Sequence, residues 1–314
     1  MKKTTINISP HIFSTTDTKR LMRGVIRALI PAVAASLYFY REKALWVIVT
    51  SVAGTVLTEW ILQKTRKRKI TIGDYSAVLT GLLLALVLPP AIPLWMSFLG
   101  GVIAIGLGKE VFGGLGCNIF NPALLARAFL MAAFPVALTT WTNPVGVDVV
   151  STATPLAVAK FEYTVTPYME LFIGNVGGSL GETSAIALLV GIGYLLYKKI
   201  IDHRILVGFI GTAFIFAAVA NIVNGEIFMP PLFHVLAGGL LLGAGFMATD
   251  PVTSPITAKG RWVFGIGCGL VSMTIRFWGG LPEGVMYSIL LMNALTPLIN
   301  KMSRPGRYGV KNGK

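Results

Sequence analysis

Two stretches of the chain, "AVLTGLLLALVLPP" (77–90) and "VLAGGLLLGAGFMATDP" (235–251), resemble each other in the order of their apolar and small residues. Each is followed by one member of a second similar pair, "AIGLGKEVFGG" (104–114) and "GIGCGLVSMTIRFWGG" (265–280). The similarity indicates an internal repeat, although glycine-rich apolar segments also resemble one another by chance. In membrane proteins such repeats build two related halves, with a functional site near their interface and often at interrupted helices.

The composition indicates a membrane protein. Of the 314 residues, 54% are hydrophobic and 13% are charged, and the mean hydropathy is +0.72, whereas soluble domains carry about 25% charged residues. Several apolar segments approach the roughly 20 residues that a helix needs to cross the hydrocarbon core. Because they are continuous rather than alternating, they favour helices over barrel strands. The segments lie near residues 24–40, 44–63, 75–94, 95–112, 119–140, 184–200, 205–223, 232–249, 260–278 and 283–300.

The order of these segments predicts an all-α membrane protein with about ten transmembrane helices in two inverted five-helix halves. The two copies of the repeat are offset by five segments, an odd number, so they point in opposite directions. Residues 1–140 form the first half with a basic N-terminus, 141–183 an extracytoplasmic loop, and 184–314 the second half with a basic tail.

The basic residues predict the orientation. With the N-terminus in the cytoplasm, 22 of the 27 Lys and Arg residues fall in cytoplasmic segments, three fall in outside loops and two inside spans. Cytoplasmic loops of membrane proteins carry such an excess, so both termini are expected in the cytoplasm. The net charge of +14 is thus a topology signal, and membrane lipid rather than nucleic acid is the expected partner.

Several classes of site are not expected. The two Cys and three His are far apart in the sequence, which favours neither a metal site nor an iron–sulfur cluster within one chain. No arrangement of a nucleophile and a base predicts a catalytic residue. The glycine run "GIGCG" (265–269) follows no strand, so close helix packing explains it better than a nucleotide loop.

"GGLGCNIFNPALLARAF" (113–129) contains two asparagines with alternative interpretations. Asn121 precedes Pro122, the signature of a helix N-cap followed by proline at the first helical position. Alternatively, Asn118 and Asn121 present their amides to a planar polar ligand between helices.

"GFMATDPVTSPITAKGR" (245–261) is the matching segment of the second half. Asp250 either caps the turn at Pro251 or serves as a carboxylate for a cation or proton at the membrane edge. The prolines and hydroxyls around it indicate a broken, hydrated helix end.

Glu59, Arg127 and Arg276 are charged residues within predicted spans, where charges are expensive and face the bundle interior. Glu59 and Arg127 are well inside; they form structural pairs, or Arg127 binds an anionic cofactor group. Arg276 is nearer a helix end and is expected to extend to the membrane surface.

The outside loop contains "DVVSTATPLA" (148–157). By itself the stretch predicts that Thr154 caps a short helix beginning at Pro155. The small side chains before it also leave the backbone accessible to a modifying enzyme.

Here the sequence resembles a known family. Asp148, Ser151, Thr152, Ala153 and Thr154 match the Asp-x-x-(Ser/Thr)-(small)-Ala-Thr signature of flavin-transferase targets, with Thr152 where Gly or Ser is usual. "FNPALLARAF", "TDPVTSP" and "LPEGVMYSILLMNALTPLI" (281–299) match as well. The chain resembles, over nearly its whole length, the D subunits of Rnf complexes, which are ion-pumping ferredoxin:NAD⁺ oxidoreductases, and the B subunits of sodium-pumping NADH:quinone oxidoreductases.

The resemblance implies FMN esterified to Thr154, with Asp148, Ser151 and Ala153 in the attachment motif, and a non-covalent riboflavin near Asn118 and Asn121. It implies electron transfer between flavins across a bacterial cytoplasmic (inner) membrane, coupled to Na⁺ or H⁺. Asp250, by its position at the end of a span, is the residue that we expect to be the ion-linked carboxylate. The implied partners are a flavin transferase, iron–sulfur subunits and a second subunit with covalent flavin. A urea-type channel without a redox cofactor, or a scaffold subunit without a redox role, is the alternative.

Overall fold

The computed structural model describes residues 17–142, 144, 153–225 and 227–304, and within these ranges the protein is helical without a β-strand. The helices are α1 (Thr18–Thr65), α2 (Ser76–Leu86), α3 (Leu94–Ile105), α4 (Pro122–Ala133), α5 (Pro135–Thr139), α6 (Pro155–Phe161), α7 (Tyr168–Ile173), α8 (Ala185–Tyr197), α9 (His203–Val223), α10 (Pro231–Leu236), α11 (Leu240–Leu242), α12 (Ala258–Trp278) and α13 (Val285–Met302). A π-helical turn follows α3 at Gly106–Glu110 and another follows α11 at Gly243–Met247.

Helix α1 covers the first two predicted spans and folds back between them. Arg41 interrupts it with φ 47° and ψ −124°, dividing it into a first arm (18–40) and a second arm (42–65). Met22 of the first arm and Glu59 of the second both lie near Lys109. A straight helix of this length would separate its ends by roughly 70 Å, so the arms lie side by side.

Besides the fifth, two predicted spans are wrong as continuous helices. In the third, α2 ends at Leu86 and a turn leads to Pro89–Pro90; the backbone N–H of Gly181 donates to Leu86 O at 2.7 Å. In the eighth, the chain breaks between α10 and α11 at Gly238, which has φ +70°. Proline and glycine interrupt spans where other protein groups satisfy the freed backbone, and both breaks meet this condition.

The same close packing recurs in the two parts of the chain. The second arm of α1 lies against α3, where a Cβ at Gly101 would come within 2.8 Å of Ser51 O. Helix α9 lies against α12, where a Cβ at Gly265 would come within 2.6 Å of Ile205 O. Missing side chains thus let two helix backbones touch in each pair, as is common within membranes.

Helices α1 and α9 are long and apolar enough to cross a membrane, which agrees with the prediction of a membrane protein. Other apolar helices are shorter, such as α8, and the fifth predicted span is divided at Pro135 into α4 and α5. The interrupted elements surround two cavities, one next to Thr154 and one next to Asn118.

Candidate functional site

The first cavity, which we call the outer cavity, has a volume of about 390 Å³. Thr154 and Ala153 lie at its edge, Arg127 and Glu182 in its wall, and Trp141 contributes an aromatic face. This volume falls in the range of small-molecule sites, about 300–1,000 Å³. The structure therefore brings Thr154 and Arg127, which the sequence singled out separately, to one space.

Thr154 is a helix N-cap, as the pair Thr154-Pro155 predicts. It is the N-cap of α6, its Oγ1 accepts a hydrogen bond from the N–H of Ala157 at 3.2 Å, and Pro155 is the first helical residue. Ala153 is exposed beside it. Asp148 and Ser151, the other predicted residues of the attachment motif, lie outside the described residues.

A cluster of four charged side chains lies at the outer cavity: Arg127, Glu182 and the half-buried Glu283 line it, and Arg276 lies next to Glu283. Arg127 Nη1 lies 3.4 Å from Glu182 Oε1, and its Nη2 lies 4.0 Å from Glu283 Oε2. Arg276 Nη2 lies 3.8 Å from the other oxygen of Glu283. The hypothesis that Arg127 has structural ion-pair partners is therefore confirmed, and its position in the cavity wall is also compatible with an anionic ligand.

The prediction that Arg276 extends to the membrane surface is wrong. The residue is 3% exposed, and its side chain donates to the carbonyls of His234 at 2.5 Å and Ala237 at 3.2 Å. These carbonyls lie at the broken end of α10, so Arg276 satisfies backbone groups that the helix leaves free.

Sequence reasoning missed Glu182 and Glu283 as members of this cluster. Burial raises the pKa of the Glu182 carboxyl, the nearby Glu283 raises it further, and Arg127 opposes the shift. The available signal was the scarcity of acids: only 13 Asp and Glu occur in the chain, so an acid beside a span is informative. A carboxyl of this kind exchanges protons more readily near neutral pH than an exposed glutamate.

The second cavity, which we call the inner cavity, contains Asn118, Asn121 and Asp250, three residues that the sequence predicted from different segments. Its volume is about 80 Å³. Lys109 of the first π-helical turn and Phe246 of the second also line it. Single π-helical turns are frequent at functional sites, and here one comes from each copy of the predicted repeat.

The side chain of Asn121 is hydrogen-bonded to other groups of the protein. Its Oδ1 accepts the N–H of Ala123 at 3.1 Å as the N-cap of α4, and its Nδ2 donates to Met247 O at 3.3 Å. Its own N–H donates to Asn293 Oδ1 at 3.2 Å. The N-cap interpretation is confirmed, and Asn293, which the sequence did not indicate, joins α13 to this network.

Asp250 organises a turn. The hydroxyl of Thr253 donates to its Oδ2 at 3.0 Å, and the N–H of Val252 approaches its Oδ1 at 3.5 Å. Thr257, not Asp250, caps α12. Within the described part of the chain, no Lys, Arg or His lies within ion-pair distance of this carboxylate.

Glu59 is paired with Lys109, whose Nζ lies 2.8 Å from Glu59 Oε1 and 2.7 Å from Ser76 Oγ. Lys109, which the orientation count assigned to a cytoplasmic segment, is 2% exposed. The pair ties the second arm of α1 to the π-helical turn after α3 and fixes one wall of the inner cavity.

An apolar helical bundle whose interrupted helices surround two cavities fits a membrane protein. The chain belongs to the NQR2, RnfD, RnfE family, whose model matches residues 5–309.

Curated relatives are similar over nearly their full length. The chain is 46% identical to the D subunit of the proton-translocating ferredoxin:NAD(+) oxidoreductase complex of Clostridium ljungdahlii, covering 98% of this chain and 96% of the relative. It is also 46% identical to the D subunit of the Na(+)-translocating ferredoxin:NAD(+) oxidoreductase complex of Acetobacterium woodii, with 98% and 95% covered. A third relative, the D subunit of the ion-translocating oxidoreductase complex of Stutzerimonas stutzeri, is 40% identical, with 92% of each chain covered.

Proposed function

We propose that this chain is the membrane electron-transfer subunit of an ion-translocating ferredoxin:NAD⁺ oxidoreductase (Rnf) complex and carries FMN on Thr154. The observation that carries the proposal is the position of Thr154 at the edge of the outer cavity, above buried charges, in a chain of this family. The names of the relatives support the assignment to such a complex.

The residues around Thr154 fit a phosphate-linked flavin. The threonine hydroxyl is the atom for the ester, and the cavity has the volume of a small-molecule site. The guanidinium of Arg127 in its wall offers donors to anionic or carbonyl oxygens, while Trp141 and Met131 supply apolar walls that exclude water. Bound flavin supplies the capacity to take up one or two electrons, and the protein sets its position and polarity.

The inner cavity does not fit a flavin ring as it stands. Its volume of about 80 Å³ lies well below the range of ligand sites, and the Asn121 amide is already bonded to protein. Riboflavin near Asn118 and Asn121 therefore remains a proposal that requires the surrounding helices to separate, and no electron-transfer step is derived through it.

Asp250 is proposed as the ion-linked carboxylate because a half-buried carboxylate beside hydroxyls and without a paired cation suits a small cation or a proton. Helix α4 connects the two cavities: Asn121 and Arg127 are six residues apart, or roughly 9 Å along the axis. One relative translocates protons and another sodium at the same identity, so identity does not distinguish the two ions.

The proposal includes the topology and the partners. Two inverted halves with cytoplasmic termini in a bacterial cytoplasmic membrane place Thr154 outside, where a flavin transferase acts on it. The NAD-binding and iron–sulfur components belong to other subunits. A urea-type channel is disfavoured because, in the described part of the chain, the outer and inner cavities share no lining residue, which suits a relay better than an open pore.

The test is coexpression with an active flavin transferase, followed by in-gel flavin fluorescence under denaturing conditions and mass spectrometry of the modified peptide. An adduct with the mass of FMN is expected on Thr154, and Thr154→Val abolishes it. Thr139→Val is the matched control, because Thr139 lines the same cavity and its hydroxyl donates to Pro135 O instead. An unmodified chain beside a modified reference target would refute the redox assignment and favour the channel.

A further inference from the structure

A third cavity, of about 290 Å³, lies between α6, α10 and α12. Phe161, Phe228 and Phe277 contribute aromatic rings to its wall. Three polar side chains interrupt this wall: Lys160, His234 and Arg276. We call it the His234 cavity; neither the FMN proposal nor the inner cavity makes use of it.

His234 is buried without a hydrogen bond from its ring. Its side chain lines the cavity and the residue is 6% exposed, yet neither Nδ1 nor Nε2 has a partner among the described protein groups. The ring packs edge-on against Phe233 and Phe277, with centroids 5.5 and 5.1 Å away. A buried polar group without a partner costs about 1–3 kcal/mol, so packing alone gives no reason for a histidine here.

Arg276 adds a second free donor. Its two terminal nitrogens are held by the carbonyls of His234 and Ala237, while Nε is buried without a partner in the described structure. Lys160 is fully engaged, because its ammonium donates to Gly279 O and Leu281 O beyond the end of α12. The cavity thus presents unused N–H groups of His234 and Arg276 beside the ammonium of Lys160, while the charge of Arg276 is paired with Glu283.

The cavity adjoins an apolar groove between the outer halves of α9 and α12. Phe228 lines both spaces, and the groove has a volume of about 430 Å³. Its other walls include Val219, Leu270 and Trp278, which are 57%, 43% and 67% exposed. In a membrane protein such a surface faces acyl chains. The groove and the His234 cavity meet at Phe228, whose ring lies 4.8 Å from that of Phe277.

We propose that the His234 cavity and this groove form a site for one anionic fatty-acyl lipid. The acyl chain lies in the groove, and a carboxylate or phosphate oxygen accepts hydrogen bonds from His234 and from Arg276 Nε. Guanidinium N–H groups only donate, which requires an oxygen acceptor on the ligand. The charge of Lys160 favours a negative head, since no acidic residue is among the described residues that line the cavity.

The site is tested by native mass spectrometry of the full chain after delipidation, titrated separately with oleate, phosphatidylglycerol and phosphatidylcholine. One molecule per chain of oleate or of phosphatidylglycerol is expected to bind at least tenfold more tightly than phosphatidylcholine; which of the two is preferred identifies the head as carboxylate or phosphate.

Two variants locate the site. His234→Leu removes the head contact, and Val219→Trp blocks the exposed groove without touching the core; each is expected to reduce binding at least tenfold. Ile186→Trp is the matched control, since Ile186 is an exposed residue of α8 away from the groove. Equal binding by all three lipids, or loss of binding in the control as large as in Val219→Trp, would overturn the proposal. So would unchanged binding in Val219→Trp.

Discussion

The charged side chains at the outer and inner cavities differ in how closely their partners approach them. In the inner cavity, Lys109 lies 2.8 Å from Glu59 and 2.7 Å from Ser76. In the outer cavity, the separations between Arg127 and its two carboxylates are 3.4 and 4.0 Å, next to a much larger space. The short contacts compensate Lys109, although the other oxygen, Glu59 Oε2, is buried without a hydrogen-bond partner among the described residues. The longer separations in the outer cavity leave donors available to a ligand.

This difference indicates that the outer cavity, and not the inner one, has room for a ligand and donors to bind it. The inner cluster holds helices in position, because Lys109 is bound to Glu59 Oε1 and Ser76 Oγ at short distances. The outer cluster combines two guanidinium and two carboxylate groups in loose contact beside Thr154, so it can respond to a change in charge within the cavity. We therefore expect structural defects from inner-cavity variants and ligand or pH effects from outer-cavity variants.

The largest expected effect is on the free energy of unfolding, and it tests the difference between the two charge clusters. Lys109→Met leaves Glu59 buried and uncompensated, and breaking a buried pair costs about 3–5 kcal/mol. Arg127→Met is expected to cost less, because Glu182 and Glu283 can share a proton and Arg276 stays nearby. Unfolding of the detergent-solubilised protein by heat or denaturant measures both.

A double variant separates charge from packing. Glu59→Gln combined with Lys109→Met is expected to recover at least half of the loss, since no lone charge remains. If Lys109→Met alone unfolds like the unchanged protein, or if Arg127→Met is the more harmful change, the contrast between the cavities is wrong.

Some of this architecture was predictable because its causes are local. Continuous apolar runs predicted helices, and the pairs Asn121-Pro122 and Thr154-Pro155 predicted two N-caps that the structure has. A cap depends only on a side chain and the next three residues, so the sequence contains the whole signal.

The broken helices and the charge cluster were not predictable in the same way. Gly181 satisfies the end of α2 and Arg276 the end of α10, and both partners are distant in the sequence. Likewise Arg127 meets Glu182 across 55 residues. Only packing brings such groups together, so hydropathy suggested continuous spans and a surface position for Arg276.

A smaller effect compares the two asparagines of the inner cavity. Asn121→Ala removes the cap of α4 and the contact with Met247 O, which predicts a loss of about 1–2 kcal/mol in unfolding free energy. Asn118→Ala removes one hydrogen bond, to Phe120 O at 3.2 Å, and is expected to cost about 1 kcal/mol or less. Denaturant unfolding of both variants decides the order.

That comparison also bears on the proposed riboflavin. If Asn118 contacts a flavin, Asn118→Ala lowers the riboflavin content of the purified complex while stability hardly changes, and flavin extraction with chromatography measures it. Unchanged content in Asn118→Ala would exclude Asn118 as a flavin contact.

The smallest expected effect is a pH dependence of the outer cavity. Burial and the neighbouring Glu283 raise the pKa of Glu182 in the folded protein. A carboxyl with a raised pKa binds its proton more tightly when folded, so its contribution to stability is fully present below the unfolded pKa of about 4.3. This contribution is lost as the pH rises through the folded pKa.

The midpoint of thermal unfolding in detergent is therefore expected to fall by roughly 2–4 °C as the pH rises from the unfolded pKa of Glu182 through its folded pKa. This fall is larger than the change expected in Glu182→Gln over the same pH range. Glu170→Gln is the control, because Glu170 is an exposed acid of the same loop. It should leave the pH dependence as it is in the unchanged protein. A profile that Glu182→Gln does not flatten would show that Glu182 stays ionised at all these pH values, and the outer cluster would then be as firmly paired as the inner one.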